Sequence, residues 1–337
     1  RASIGTRCRQ QKEAKVRAAV VTQPGGPEVF EIRDLDDPIP GPEDALIAVR
    51  ATALNRADLM QRMGRYPGPP GTRDDVPGLE MAGEVLEVGD RVTAWQPGDR
   101  VMALLGGGGY GSRVVVHERM LMAIPSNIDF GQAASIPEVF LTAYDAMMGQ
   151  CELQPGESAL IHAAGSGVGT AAIQIASVAG CRTFGTAGSA EKLSAAAKLG
   201  LDVGINYHED DFAQVIADQT DGRGVDVVLD VIGAPYWDRN LASLAVWGRM
   251  VIVGTLGGGR VEAMNIGALM AKRLRVHGTV LRARPLEEKA ALTQRFVDRV
   301  VPDLASGRIV PVVDRVFPLA EAAEAHHVQG AVYLLGY

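Results

Sequence analysis

Three glycines, Gly165, Gly167 and Gly169, stand between a β-rich run and an alanine-rich run in SALIHAAGSGVGTAAIQIA. Glycines at that spacing allow a tight turn and a close approach of backbone to ligand. A helix starting there adds free N–H groups and a partial positive charge. The ligand that suits such a turn is a pyrophosphate at residues 165–169, where Ser166 and Val168 lie between the glycines. Strict G-x-G-x-x-G is not met, because Thr170 stands where the last glycine would fall. Taken alone the motif is weak, and a turn without a ligand is the competing reading. The runs around it favour a dinucleotide. SALIHA (158–163) precedes the turn, and RTFGTA (182–187), VGIN (203–206), VDVVLDV (225–231), RMVIVGT (249–255) and RVHGTV (275–280) follow it.

Sites for NAD usually place Asp or Glu at the end of the second strand, against the ribose hydroxyls. Here that end reads GTAGSAEK, with no acid at the strand end and with Ser189 and Lys192 just beyond it. A hydroxyl and an ammonium suit a 2′-phosphate, so NADPH is expected rather than NADH. Lys192 as a solvated helix residue is the alternative. Tyr207, after the third strand, either closes over the same end or is a surface turn residue.

The second chemical cluster is ALNRADLMQR (53–62), where Asn55, Arg56 and Asp58 interrupt an apolar run. Asn55 either caps a helix over 56–63 or turns its amide toward a ligand. The six histidines have no metal-ligand spacing: His326 and His327 are adjacent on a helix and point apart, and His162 reads as structural. Cys8, Cys151 and Cys181 are far apart and include no CxxC. They suit a reducing compartment and offer neither a disulfide framework nor a zinc site.

Elements must hold these groups in place. At 337 residues the chain can form two domains, since one core rarely grows past about 250–300 residues. RAAVVT, DALIAVRATAL, EMAGEVLEV and GDRVMALL are strand-like runs separated by Pro/Gly turns, and they predict a mostly antiparallel β domain. From about residue 140, strands alternate with helices such as TAAIQIASVA, AEKLSAAAKL and DFAQVIADQT. That alternation predicts a doubly wound parallel six-stranded sheet, an α/β fold. The run EEKAALTQRFVDRVVPDLA predicts one long helix. No apolar window is long enough to span a membrane, and a net charge of −7 argues against nucleic acid as a partner. Residues 1–15 carry five Arg/Lys against one Glu and read as an extension, disordered or a targeting remnant.

A β domain with an inserted dinucleotide sheet is the plan of the medium-chain dehydrogenase/reductases. PGGPE, ALNRADLMQR, GRYPGPPG, PGLEMAG, GDRVMALL, IPEVFLTAY, SGVGTAAIQ, PYWDRN, GTLGGG and LRAR together resemble its zinc-free quinone oxidoreductases of the zeta-crystallin type. The likeness is strongest to the tumour-suppressor-inducible branch and spans about residues 16–330. It implies a GroES-like domain over 16–139 and 283–337 and an NADPH-binding Rossmann domain over 140–282. Zinc relatives have Cys where Asn55 stands and His where Leu79 stands, so no metal is expected.

The implied activity is NADPH-dependent reduction of an ortho-quinone-like or other conjugated carbonyl, by hydride or electron transfer. Enone or enoyl reduction and a non-enzymatic NADPH-binding scaffold are the alternatives. Asn55 would donate to the nicotinamide ribose or the acceptor oxygen, Tyr66 would sit in the acceptor pocket, and Thr142 near the nicotinamide. Ile232, Gly254, Leu256 and Leu281 would line that side, with Asp58 and Arg62 holding their segment. Arg282 or Arg284 would meet the substrate or a partner subunit, against a reading as solvated surface arginines. A cytoplasmic homodimer paired through the sixth strand is implied. Ala331 replaces an expected lysine in the last strand, which puts any cofactor contact there in doubt.

Overall fold

The computed structural model describes residues 15–328 and, as backbone alone, 332–335. Cys8, Ala331 and most of the expected extension lie outside the described residues. Strands β1 (Lys15–Val21) and β2 (Phe30–Asp36) form an antiparallel pair. Lys15, expected in the extension, pairs with Asp36 and so belongs to the folded chain.

Next come β3 (Asp44–Leu54), α1 (Arg56–Arg62), β4 (Glu80–Val88), β5 (Arg100–Leu104), β6 (Arg113–His117) and β7 (Leu121–Ala123). β3 is central: β4 pairs along one edge, and β6 pairs with the first half of the other. Both faces and both edges are therefore covered, which suits the near-continuous apolar run DALIAVRATAL. Gly83 permits the close approach, because a Cβ there would fall 2.1 Å from the Ala48 carbonyl oxygen. Helices α2 (Phe130–Ala134) and α3 (Pro137–Tyr144) follow, and α3 runs on into a π-helical turn, Asp145–Gln150.

The second sheet contains β8 (Ser158–Ile161), β9 (Arg182–Ala187), β10 (Val203–Asn206), β11 (Val225–Asp230), β12 (Leu244–Ile252) and β13 (Arg275–Gly278). All six are parallel, in the order β10-β9-β8-β11-β12-β13. Crossovers are α4 (Gly167–Val178), α5 (Ala190–Ala197), α6 (Phe212–Gln219), α7 (Trp237–Ser243) and α8 (Ile266–Lys272). The order reverses between β8 and β11, and ligands of such sheets bind at the carboxyl ends beside that switch. Several expected strands stop early. Val231, Val253, Thr255 and Val280 have strand-like composition, yet they leave the sheet to form the loops around that crevice.

The chain closes with α9 (Leu286–Arg299), α10 (Val301–Ala305), β14 (Arg315–Pro318), α11 (Ala322–Ala325) and β15 (Val332–Leu335). The expected single helix over 287–305 is two helices. Pro302 lacks the N–H that an unbroken helix would need, and it sits in the first turn of α10 instead. β14 and β15 add to the first sheet, β15 pairing with the end of β3. One buried cluster runs from Ile47, Met81 and Met102 through Phe140 and Leu141 to Ile161, Leu229 and Phe296. α3 therefore sits in continuous packing between the two sheets. Among the described residues no helix is long and apolar enough to cross a membrane.

Candidate active site

β3 ends at Leu54 and hands the chain to α1 through Asn55, whose extended backbone (φ −110°, ψ 157°) makes it the N-cap. The cap bond to its N–H comes from Asp58, whose Oδ2 accepts at 2.7 Å. Asp58 Oδ1 accepts from the Gly78 N–H at 3.0 Å. Gly78 has φ +104°, and a Cβ there would meet the Gly109–Tyr110 backbone at 2.6 Å, so this position needs glycine. Asn55 is a cap residue, and its side chain has a second task. Nδ2 donates to Glu80 Oε1 at 2.6 Å, and Glu80 Oε2 accepts the Glu138 N–H at 2.8 Å. Asp58 and Glu80 thus tie α1, β4 and the start of α3 together.

Burial dominates the titration of this cluster. It pushes Asp58 up to about 6, against the N–H groups of Asn55 and Gly78 and the charge of Arg282. It pushes Glu138 up to about 7, with the Asp58 charge adding and Arg282 opposing. Glu80 is driven well above the usual carboxylate range by burial, and its hydrogen bonds oppose this only in part. Tyr66 is raised by burial and by the charge of Glu138, with Arg282 opposing.

Neither arginine of LRAR is solvated. Arg282 is 4% exposed. It donates to the Gly106 carbonyl at 2.8 Å, the Tyr66 carbonyl at 3.0 Å and Gln61 Oε1 at 2.7 Å, and it lies 5.1 Å from the Tyr66 ring centroid. It anchors the segment carrying Tyr66 and leaves the phenol free of any hydrogen bond among the described residues. Arg284 donates to Asp145 at 2.6 Å and to Thr279. Arg62 reaches the Gly25 carbonyl and His326 Nδ1, as a structural residue does. His326 is buried and His327 exposed, just beyond α11.

At the glycine-rich turn, Ser166 caps α4 and accepts the Gly169 N–H at 3.0 Å. A Cβ at Gly169 would lie 2.2 Å from the Ala163 carbonyl oxygen, so this glycine sets how closely α4 approaches β8. Thr170 takes the place of the missing glycine by turning its hydroxyl back to the Gly167 carbonyl at 3.0 Å. Val168 is half-buried against the core. His162 bonds Thr186 at 2.9 Å and Asn240 at 2.7 Å, and burial holds it down at about 4, hence neutral. Asn240 reaches Asp230, which accepts the N–H groups of Ile232 and Gly233. This buried network fixes the carboxyl ends of three strands.

At the far end of the crevice Ser189 caps α5, and Gly165 lies under the stem of Lys192, since a Cβ there would meet Lys192 Cβ and Cγ at 3.1 Å. A Cβ at Gly188 would fall 2.5 Å from the Tyr207 hydroxyl and 3.1 Å from His208 Nε2. Gly165, Ser189, Lys192 and Tyr207 are thus gathered at one end, with His208 added. Glu191 is close too, its carboxyl held below the usual range by its own N–H and the Ser189 hydroxyl.

α3 joins the two halves. A Cβ at Gly167 would fall 2.9 Å from Val139 Cγ1, so the glycine-rich turn abuts the helix that carries Glu138 and Thr142. Thr142 is half-buried, and its hydroxyl has no hydrogen bond among the described residues. The loops after β11 and β12 are laced together by Leu256 N–H to the Val231 carbonyl at 3.0 Å and Gly257 N–H to the Ile232 carbonyl at 2.9 Å. Gly254 is half-buried there and Leu256 exposed, whereas Leu281 is buried in the main core.

Sequence reasoning passed over Glu80, Gln61 and Glu138. Gln61 had no local signal, because its partner Arg282 is 221 residues away. Glu138 did: a carboxyl one turn before Thr142 in the otherwise apolar PEVFLTAY. Among the described residues no group of three or more His, Cys, Asp or Glu is arranged to hold a metal.

Residues 41–126 match the family described as alcohol dehydrogenase GroES-like domain, and residues 167–297 match zinc-binding dehydrogenase. A quinone oxidoreductase of Pseudomonas aeruginosa is 36% identical over 90% of this chain and 92% of its own length. A quinone oxidoreductase of Homo sapiens is 32% identical over 92% of this chain and 93% of its own. Among solved structures, the CurK enoyl reductase superposes with a TM-score of 0.84 at 29% identity, covering 96% of this chain and 99% of that one. A mycobacterial protein complexed with NADPH gives 0.81 at 30% identity, covering 95% and 99%. The chain belongs to the quinone oxidoreductases of the medium-chain dehydrogenase/reductase superfamily and is an oxidoreductase of the kind that uses a nicotinamide cofactor.

Proposed function

We propose that this enzyme reduces quinones, ortho-quinone-like or related conjugated carbonyls, with NADPH and without a metal. The reading takes the crevice between a GroES-like unit (16–139 and 283–337) and a Rossmann unit (140–282) as the site. The observation that carries it is the arrangement of α3, which abuts the glycine-rich turn at Gly167 and whose first turn is tied through the Glu138 N–H and Glu80 to Asn55. The cofactor fits the residues present. The turn of Gly165, Ser166, Gly167 and Val168 opens a twelve-residue helix, whose first free N–H groups would take a pyrophosphate. Ser189, Lys192 and Tyr207 would hold the 2′-phosphate. Ile232, Gly254, Leu256, Leu281 and Thr142 would border the nicotinamide, although burial of Leu281 limits it to a supporting role.

When bound, NADPH supplies the hydride, or the electrons, that the acceptor takes up. Asn55, held through one amide hydrogen by Glu80, keeps a second hydrogen for the ribose or the acceptor oxygen. Tyr66, its backbone fixed by Arg282, offers a phenol to the carbonyl. Neither step asks for a Lewis acid, because a quinone gains aromaticity on reduction; geometry and hydrogen bonds then suffice. Reduction of an enone or enoyl group is the second reading, favoured by the similarity to CurK. The non-enzymatic scaffold reading is not favoured by any particular contact here.

The test offers ortho-naphthoquinone and an α,β-unsaturated ketone separately, with NADPH or NADH, and follows loss of the reduced nicotinamide absorbance. Fast quinone-dependent loss of NADPH is expected. Turnover of the ketone alone would make the enzyme an alkene reductase, and silence with both, despite NADPH binding, would leave a scaffold. Glu191 beside Ser189 opposes a phosphate, and the NADH arm measures how far. A cytoplasmic homodimer, paired through β13, completes the proposal. Val280 is exposed in the loop just past that edge, with Met270, Ile266 and Trp247 also exposed on neighbouring segments, and a monomeric mass in light scattering would refute the pairing.

A further inference from the structure

Four ionisable groups interact with Glu138 through their charges: Asp58 from α1, Glu80 from β4, Tyr66 from the loop after α1, and Arg282 from the segment after β13. Three of these charged groups are spoken for. Asp58 accepts from the N–H groups of Asn55 and Gly78. Glu80 accepts from Asn55 Nδ2 and the Glu138 N–H. Arg282 donates to Gly106, Tyr66 and Gln61. The Glu138 carboxyl, half-buried at the start of α3, makes no hydrogen bond and no salt bridge among the described residues. Its own N–H is pinned to Glu80, so the backbone that carries it does not wander. It shares a helix face with Thr142, four residues on.

We propose that Glu138 is the acid of the acceptor pocket, the group that holds the proton taken up by the acceptor oxygen during reduction. This rests on the reductase reading above. The acceptor gains two electrons with the hydride, its oxygen is left anionic, and an O–H bond forms there as the Glu138 O–H bond breaks. The nicotinamide is oxidised, the acceptor is reduced, and the Glu138 carboxylate recovers a proton from water. A carboxyl withdrawn from water beside an ionised carboxylate is the arrangement that keeps an acid protonated near neutrality. Tyr66, whose phenol feels the Glu138 charge, would supply a second polar group to the carbonyl.

The test compares wild type with Glu138→Gln and Glu138→Asp. Difference infrared spectroscopy of the cofactor-free proteins, wild type minus Glu138→Gln, should show a protonated carboxyl band that disappears with a midpoint at about 7. NADPH binding, read by fluorescence, should change by less than about threefold, because the substitution removes no phosphate contact. With the unsaturated ketone, kcat of Glu138→Gln should fall about 100-fold and lose the decline above neutral pH that wild type shows; Glu138→Asp should restore the decline at a lower rate. With the quinone the loss should be nearer tenfold, since its anion needs a proton less. An unchanged kcat and pH profile in Glu138→Gln would overturn the proposal, as would the absence of the titrating band. A wild type that shows the band but turns over no acceptor would overturn the reductase reading, and the donor role would fall with it.

Discussion

Glu138→Gln should stabilise the protein in mild alkali and leave its stability nearly unchanged in acid. In the folded chain the carboxyl titrates at about 7 rather than at 4.5, so between those values the folded state binds more protons than the unfolded state. Stability then falls as pH rises through that window, and the penalty is complete once both states have ionised. At 1.36 kcal/mol per pH unit of difference, the full effect is about 3 kcal/mol. Partial exposure of the side chain reduces this to roughly 1–3 kcal/mol. Glutamine cannot ionise and escapes the penalty. Because the carboxyl makes no hydrogen bond among the described residues, the substitution loses little at low pH. The Glu138 charge also raises Glu80, so the variant relieves its neighbour and adds to the gain in alkali. Urea unfolding at about pH 5 and about pH 8, with the slope m unchanged, measures the difference directly. A gap between variant and wild type that is the same at both pH values would refute the reasoning.

Arg282→Lys should destabilise by about 2–4 kcal/mol, because one ammonium cannot reproduce a fork that serves three acceptors and stacks on Tyr66. The acceptor KM should rise while NADPH affinity stays put, and a change in NADPH affinity alone would contradict the assigned role. Gly169→Ala puts a Cβ where only 2.2 Å separates it from the Ala163 oxygen, so α4 must shift. Calorimetry should show a loss of about 1–3 kcal/mol, and NADPH binding should weaken more than acceptor binding. Lys192→Ala should raise the Kd for NADPH by roughly 10–100-fold, the worth of one charge-assisted bond, without affecting NADH. Equal effects on both cofactors would remove Lys192 from the 2′-phosphate site.

Much of this architecture was legible because it is written locally. The glycine spacing and the alternation of β-rich with alanine-rich runs each specify a strand, a turn or a helix within a dozen residues. The carboxyl ends of the strands were not legible. Val231, Val253, Thr255 and Val280 have the composition of strands and the position of loops, and only the geometry of the crevice separates the two. Asn55 was legible as a cap, but its amide's partner, Glu80, lies 25 residues away and follows no periodicity. Arg282 read as a substrate or partner contact or else as a solvated surface residue, because nothing near it in sequence reveals that Gly106, Tyr66 and Gln61 converge on it. Pairings of that kind depend on how the two sheets come together, and a linear pattern does not carry it.

The carboxyl cluster makes sense when its members are separated by what they hold. Asp58 accepts two backbone N–H groups and fixes the entry to α1 against the Gly78 turn. Glu80 spans from Asn55 to the first turn of α3. Removing either carboxyl strands buried donors, so both are explained by the frame they hold rigid. Glu138 holds nothing with its side chain. An amide there would fill the same volume without an ionisation penalty, and in alkali the protein would be more stable for it. A destabilising acid whose carboxyl has no partner among the described residues, on the helix that abuts the glycine-rich turn, is what a proton donor requires: it must be able to lose its proton, and it must be costly to leave charged.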